Sequence, residues 1–330
     1  MKAIALFNNK GGVGKTSLVY HLSWMFSELG YRIIVADLDP QANLSSMFLS
    51  EERLLEIWQD QNKQTINQDI LPLFDGIGDI STSPHIEEID ERIGLLAGDL
   101  ELSKREDELS TQWSNCLDQD NPRAFRVITA FARTINYAHD TFKADLVLID
   151  VGPNLGAINR AALIASNFVI IPLAADLFSL QGLRNVGPTL IKWREAWAKR
   201  TKGKPKGLDL NLPSGAMQPL GYILMRHSIH LSRPVKAYAR WIEKMPLEYR
   251  ESVLQEAKPQ VTKVDNDEYL LAHLKDYRSL MPIAQEANKP MFMLKPADGV
   301  IGAQQKAVSS CYNDFKSLAE KIIEKLEKQN

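Results

Sequence analysis

The chain has 330 residues, 45% of them hydrophobic, with 39 basic and 41 acidic side chains and a net charge of −2. That is enough apolar material for a substantial core, and it excludes a disordered chain or a global pull towards nucleic acid or anionic membrane. Its two cysteines, Cys116 and Cys311, stand far apart without C-x-x-C spacing, which argues against a disulfide framework, a zinc site or a cysteine-ligated cluster and fits a reducing cytoplasm.

Met1 leads straight into an apolar run from Ala3 to Phe7, with no basic-then-apolar leader. No stretch approaches the ~18 apolar residues of a membrane span, so a soluble cytoplasmic protein without membrane contact is expected. The first run reads as a strand, and Leu18, Leu22, Met25 and Leu29 then share one helical face. Between them lies Asn8-Asn9-Lys10-Gly11-Gly12-Val13-Gly14-Lys15-Thr16-Ser17. At a strand-to-helix turn, backbone N–H groups and the positive end of the helix dipole surround a polyphosphate, and glycine lets the backbone come close. Lys15 is expected to reach the β- and γ-phosphates and the Thr16 hydroxyl to ligate Mg²⁺, with Lys10, Gly11, Gly12, Val13, Gly14 and Ser17 completing the cradle. Asn9 stands where the usual P-loop has its first glycine, and Lys10 adds a second lysine at the mouth, so the loop is a variant one.

Gly30 suits a left-handed helix cap, and Tyr31 to Ala36 reads as a second strand in a parallel crossover. At its carboxyl end, where open α/β sheets bind ligands, comes Asp37-Leu38-Asp39-Pro40-Gln41. One carboxylate is expected to hold a metal-bound water and the other to orient an attacking water; the plain alternative is an Asx-Pro turn. From Ser50 to Asn121 the pattern weakens to a short helix at Glu51 to Trp58, turn residues at Asp75 to Asp79 and an apolar segment at Ile93 to Ala97. No chemistry is assigned there, and Glu87, Glu88, Asp90 and Glu91 read as a solvated face.

Phe125 to Phe142 reads as helical, and Ala144 to Ile149 as a strand closing on Asp150. An aspartate in that position suits the second acidic element of a nucleotide hydrolase, which positions Mg²⁺. A strand at Phe168 to Leu173, a helix at Leu180 to Lys199 and strands at Tyr222 to Met225 and Pro290 to Leu294 continue the alternation. The expected fold is α/β, a doubly wound, mostly parallel sheet flanked by helices, forming one domain over residues 1–330 with an unassigned insertion at about 50–121 and a helical, basic region at about 192–250. Met225, Arg226 and Pro296, placed after late strands, are assigned to the adenine pocket.

Taken together, these segments resemble the ParA/MinD family of deviant Walker-A P-loop ATPases, most closely its ParA branch. Lys10 to Thr16 is similar to the family's K-G-G-V-G-K-T, Asp37 to Asn43 to its D-x-D-P-Q-x-N, and Asp150 to Pro153 to its D-x-P-P. Leu180-Gln181-Gly182-Leu183 is similar to its L-E-G-L. The resemblance implies ATP and Mg²⁺ as ligands, slow hydrolysis stimulated by an adaptor protein, and an ATP-dependent homodimer in which Lys10 reaches the other subunit's nucleotide. It implies that Lys15 and Thr16 bind phosphate and Mg²⁺ and that Asp39 helps activate water. Gly152 stands where the family usually has proline, which implies a more flexible loop after Asp150.

The resemblance also implies nonspecific DNA binding, which needs a basic patch. Between Lys192 and Lys244 there are 12 basic residues and three acidic ones, a local charge of +9 in a chain of net charge −2. Lys192, Arg194, Lys199, Arg200, Lys202, Lys204 and Lys206 form its densest part, followed by Arg226, Arg233, Lys236 and Arg240. Phosphate contacts require such cations, although lysines at a helix end also complement its dipole. Trp193, Trp197 and Trp241 read as packing residues. The C-terminal face of Phe315, Leu318, Ala319, Ile322, Ile323 and Leu326 is expected to lie on the sheet, because its polar face mixes Lys and Glu. The leading expectation is a DNA-partition or cargo-positioning ATPase. The alternative is an ATP-dependent dimerisation switch in a larger assembly, such as a defence complex, without DNA transport. A metabolic ligase or metal-carrying ATPase on the same scaffold is disfavoured by Lys10 and by the lack of paired cysteines.

Overall fold

The computed structural model describes residues 1–329 apart from 60–62, 119, 226–239, 260–262 and 278. Its strands are β1 (Ala3–Leu6), β2 (Ile33–Asp37), β3 (Glu87–Asp90), β4 (Ile93–Leu96), β5 (Leu146–Asp150), β6 (Phe168–Ala174), β7 (Gln218–Met225) and β8 (Leu270–Leu274). They join in one sheet of order β3-β4-β2-β5-β1-β6-β7-β8, in which only the β3–β4 pair is antiparallel. The central strands are apolar without alternation because both faces are covered. Ala3, Ala5, Ile34, Ala36, Val147 and Ile149 face one layer, whereas Ile4, Leu6, Ile33, Val35, Leu146 and Leu148 face the other.

The second of these layers holds α1 (Lys15–Glu28), α2 (Asn43–Phe48) and α3 (Glu51–Trp58). The first holds α4 (Ile66–Phe74), α5 (Glu106–Asn115), α6 (Pro122–Ile128), α7 (Ala130–Phe142), α8 (Ala157–Ala165), α9 (Leu177–Lys202) and α10 (Met245–Ser252). Two late helices, α11 (Met281–Glu286) and α12 (Ala303–Lys328), return to the side of α1. There Cys311, Phe315, Leu318, Ala319, Ile322 and Leu326 of α12 are buried as the helical spacing requires. Among the described residues no helix is long and apolar enough to cross a membrane.

Several expectations need correction. Pro290 to Leu294 is not a strand: Met291–Met293 forms a 3-10 turn, fixed where the Met291 N–H donates to Nε2 of His21 at 3.2 Å. The edge position belongs instead to Leu270–Leu274. Ile93 to Ala97 contributes β4, next to the sheet edge, and the acidic run before it contributes the antiparallel edge strand itself. Glu87 is therefore not simply solvated, because Arg53 donates to both its oxygens at 2.8 Å. The helix expected over Phe125 to Phe142 is broken at Thr129, whose hydroxyl donates to the Phe125 carbonyl at 2.7 Å.

Candidate functional site

β1 ends at Leu6, and the loop that follows is anchored by Asn8, whose Nδ2 donates to the Pro172 carbonyl at 2.7 Å while Oδ1 accepts from the Lys10 N–H at 3.0 Å. Gly12 and Gly14 adopt φ +71° and +83°, which only glycine takes without strain. α1 then starts at Lys15 with no side chain capping its first turn. Its N-terminal N–H groups and dipole therefore face the cradle. α9 comes down on the other side of the loop. A Cβ at Gly182 would lie 3.2 Å from Asn8 Oδ1, so glycine there sets the helix close against the loop.

The strand register brings the acidic residues together, since Asp37 and Asp150 are paired positions on β2 and β5 and Asp150 also pairs with Leu6 of β1. Asp37 Oδ2 accepts from both the N–H and the hydroxyl of Ser45 at 2.8 Å, and Ser45 Oγ in turn accepts from the Gly98 N–H. Asp37 Oδ1 and both oxygens of Asp150 are buried without a hydrogen-bond partner. Burial raises the Asp150 carboxyl well above the usual carboxylate range, and its neighbour Asp37 pushes it further, while the Thr16 hydroxyl pulls the other way. Asp37 is likewise raised, chiefly by burial. Lys15 is only 7% exposed, and burial depresses its ammonium against the opposing charges of Asp150 and Asp39. Asp39 is buried, and its Oδ1 accepts from the Gln41 N–H at 3.0 Å.

Orphaned buried carboxylate oxygens beside a hydroxyl suit a hard divalent cation that keeps several waters. Among the described residues no three acidic, histidine or cysteine side chains are placed to hold a metal by themselves. Thr16, Asp37, Asp39 and Asp150 thus fit Mg²⁺ only if phosphate oxygens and water complete its shell.

Lys10 is held by a residue of its own chain. Its Nζ bonds to Asp176 Oδ2 and lies 5.8 Å from the ring centre of Phe178, which is 71% exposed. Asp176 also caps α9 by accepting from the Ser179 N–H at 2.8 Å. The spacing of Asp176 and Ser179 is a capping signal that could have been read from the sequence. The loop after Asp150, expected to be loose at Gly152, is tied instead, because Asn159 Nδ2 donates to the Gly152 and Asn154 carbonyls at 2.8 and 2.7 Å.

Of the adenine-pocket residues, Met225 comes to the loop, with its Cε 3.1 Å from where a Cβ on Gly14 would stand. Pro296 is exposed in a 3-10 turn, and no strand precedes it. Arg226, like Arg233 and Lys236, lies outside the described residues. In the basic region Lys192, Lys199, Lys202, Lys204 and Lys206 are exposed, whereas Arg200 is not available to a nucleic acid. It is 8% exposed, donates to the Trp113 carbonyl at 2.8 Å and lies 3.9 Å from that ring's centre. Arg194 is similarly occupied with the Ala216 and Met217 carbonyls. Arg240 is exposed and lies 5.2 Å from the Trp241 ring centre. Trp193 and Trp197 are buried, as expected of packing residues.

A family profile described as an AAA domain matches residues 1–202. The sporulation initiation inhibitor protein Soj of Bacillus subtilis is 30% identical over 182 residues, which is 55% of this chain and 62% of that protein. The solved structure of protein DIP2308 from Corynebacterium diphtheriae superposes with a TM-score of 0.70 at 22% identity, covering 100% of both chains. A McdA–ATP complex from Cyanothece gives a TM-score of 0.59 at 15% identity, over 99% of this chain and 96% of the other. The chain spans between 42% and 68% of the length of curated relatives it matches. With a cradle of this geometry and a family profile covering more than half of its residues, the chain belongs to the AAA domain family, among the ParA/MinD-like P-loop ATPases.

Proposed function

We propose that this protein is a partition or positioning ATPase of the ParA kind, which binds ATP with Mg²⁺, pairs with a second copy and is reset by hydrolysis that an adaptor protein stimulates. The observation that carries this reading is the set of unpartnered buried oxygens of Asp37 and Asp150 beside the buried Lys15, beneath two left-handed glycines. Burying charge without partners costs free energy unless a ligand supplies them. A Mg²⁺-bound triphosphate supplies both signs at once. The ATP in the McdA complex supports the choice of nucleotide.

In this reading the N–H groups of Gly11, Gly12, Val13 and Gly14, with Lys15 and Ser17, bind the phosphates, and Thr16, Asp37 and Asp150 hold Mg²⁺, directly or through water. When bound, the cation would neutralise charge on the transferring phosphoryl group. Asp39 orients the attacking water. Lys10 leaves Asp176 and reaches the other subunit's nucleotide, so that the transition-state charge is met only in the dimer. DNA phosphates contact the exposed Lys199, Lys202 and Lys204.

Calorimetric titration with Mg²⁺–ATP tests the site. Lys15→Ala is expected to abolish binding, while Lys10→Ala keeps binding but sediments as a monomer. Full binding by Lys15→Ala, or undiminished ATP-dependent dimers of Lys10→Ala, would overturn the assignment. One observation favours a second reading, an ATP-dependent switch without DNA transport: Arg194 and Arg200 are spent inside the protein, which thins the cationic surface. A flat dependence of DNA affinity on salt for the ATP-bound protein would select it.

A further inference from the structure

α8 follows the loop after Asp150 directly, yet its own sequence provides no cap, since Gly156 occupies the N-cap position. The missing acceptor comes from α5, about fifty residues earlier in the chain. Both carboxylate oxygens of Glu106 accept backbone N–H bonds there, Oε1 from Ala157 and Oε2 from Ile158. A charged acceptor at a helix N-terminus gains from the dipole as well as from the hydrogen bonds. The space for it depends on glycine, because a Cβ at Gly156 would stand 2.6 Å from Glu106 Oε1.

The same first turn carries Asn159, 1% exposed, whose Nδ2 grips the carbonyls of Gly152 and Asn154. Gly152 in turn abuts Asp39, with a Cβ there falling 3.3 Å from Asp39 Oδ1. A short chain of contacts thus runs from Glu106 through α8 and Asn159 to the backbone beside Asp39. We propose that Glu106 is a positioning residue for hydrolysis, which fixes the 152–156 loop against Asp39 without touching nucleotide itself. The inference rests on Asp39 acting as proposed above. It gives the 50–121 segment, to which the sequence reading assigned no chemistry, a direct hold on the reacting end of the site.

Two substitutions remove the contact from opposite sides: Glu106→Ala deletes the acceptor, and the methyl group of Gly156→Ala displaces it. Gly156 has φ −79°, so alanine there is free of backbone strain. Hydrogen exchange of the nucleotide-free proteins is expected to quicken at residues 152–158 by about tenfold, the equivalent of a lost cap. With ATP, kcat is expected to fall by about tenfold while the ATP Kd stays within about twofold, the signature of lost positioning and not of lost binding. Glu106→Gln, which keeps one acceptor, is expected to recover part of both. Unchanged exchange at 152–158, or faster exchange with an unaltered kcat in a wild type that turns over, would overturn the role of Glu106 alone. A wild type that binds no ATP would instead overturn the proposed function and this role with it.

Discussion

Asp150 and Asp267 are both buried aspartates, and they are treated in opposite ways. Asp267 accepts from the Tyr222 hydroxyl at 2.8 Å on one oxygen and from Arg250 at 2.9 Å on the other, so its charge is spent inside the fold. Asp150 is fully buried, neither of its oxygens has a well-formed hydrogen bond, and only the Thr16 hydroxyl and the Lys15 ammonium offset its charge. Paired buried charge holds elements together, in this case β7, α10 and the turn before β8. Unpaired buried charge is a cost that the fold sustains only for something that binds.

The comparison is most strongly tested by Asp267→Asn, which takes from Arg250 its most buried carboxylate while Glu256 and Glu268 remain, and is expected to cost about 3 kcal/mol in urea unfolding. Next is His21, buried between Phe315 and Phe292 with both ring nitrogens engaged. Its Nδ1–H donates to the Ser17 carbonyl at 2.7 Å and Nε2 accepts from the Met291 N–H at 3.2 Å, so the ring is neutral. Burial lowers its pKa from 6.5 to about 4, so the folded chain resists a proton that the unfolded chain takes up. Its contribution to stability is complete above pH 6.5 and declines as pH falls towards 4, by about 3 kcal/mol in all. Asp69, pushed up to about 7 by burial, tilts the same range the other way. The measurement is therefore the difference in pH slope between wild type and His21→Gln, and equal slopes would refute the neutral ring.

Asp150→Asn should behave unlike Asp267→Asn. Without ligand its stability is expected to stay within about 1 kcal/mol of wild type, because burial already holds the carboxyl largely protonated and an amide of the same size replaces it. Its melting temperature should then gain nothing from Mg²⁺–ATP; a loss of stability like that of Asp267→Asn would break the contrast. The smallest effect expected is at Gly182. Its alanine variant presses on Asn8 and should weaken nucleotide binding a few-fold, at a cost of about 1 kcal/mol or less in stability. Binding as tight as wild type would show that the loop yields to α9.

The cradle was legible because everything it needs is local: a strand, two left-handed glycines, a lysine and the start of a helix lie within fifteen residues. Asp37 and Asp150 were legible for a related reason, since each closes a continuous apolar run. What could not be read were the partners that long-range packing chooses. Ser45, which ties Asp37 to the Gly98 N–H, and Glu106, which caps α8, acquire their roles from packing across about fifty residues. Arg200 looked like one more surface cation because nothing near it in sequence announces Trp113 as its neighbour. The misread strand at Pro290 to Leu294 has a simple cause: a short apolar run is compatible with a strand or a buried turn, and only the covering helix decides.

The borders of the sheet bear on one way in which copies of a β-rich chain can aggregate. At one border, β3 is four residues long, carries Glu87 and Glu88, and is irregular in register between Glu88 and Asp90. At the other, the Lys321 ammonium donates to the Leu270 carbonyl at 2.6 Å and α12 packs against β8. A brief, acidic, kinked margin and a covered one both resist the addition of a strand from a neighbour. Filaments built by extending the sheet from copy to copy are thereby disfavoured.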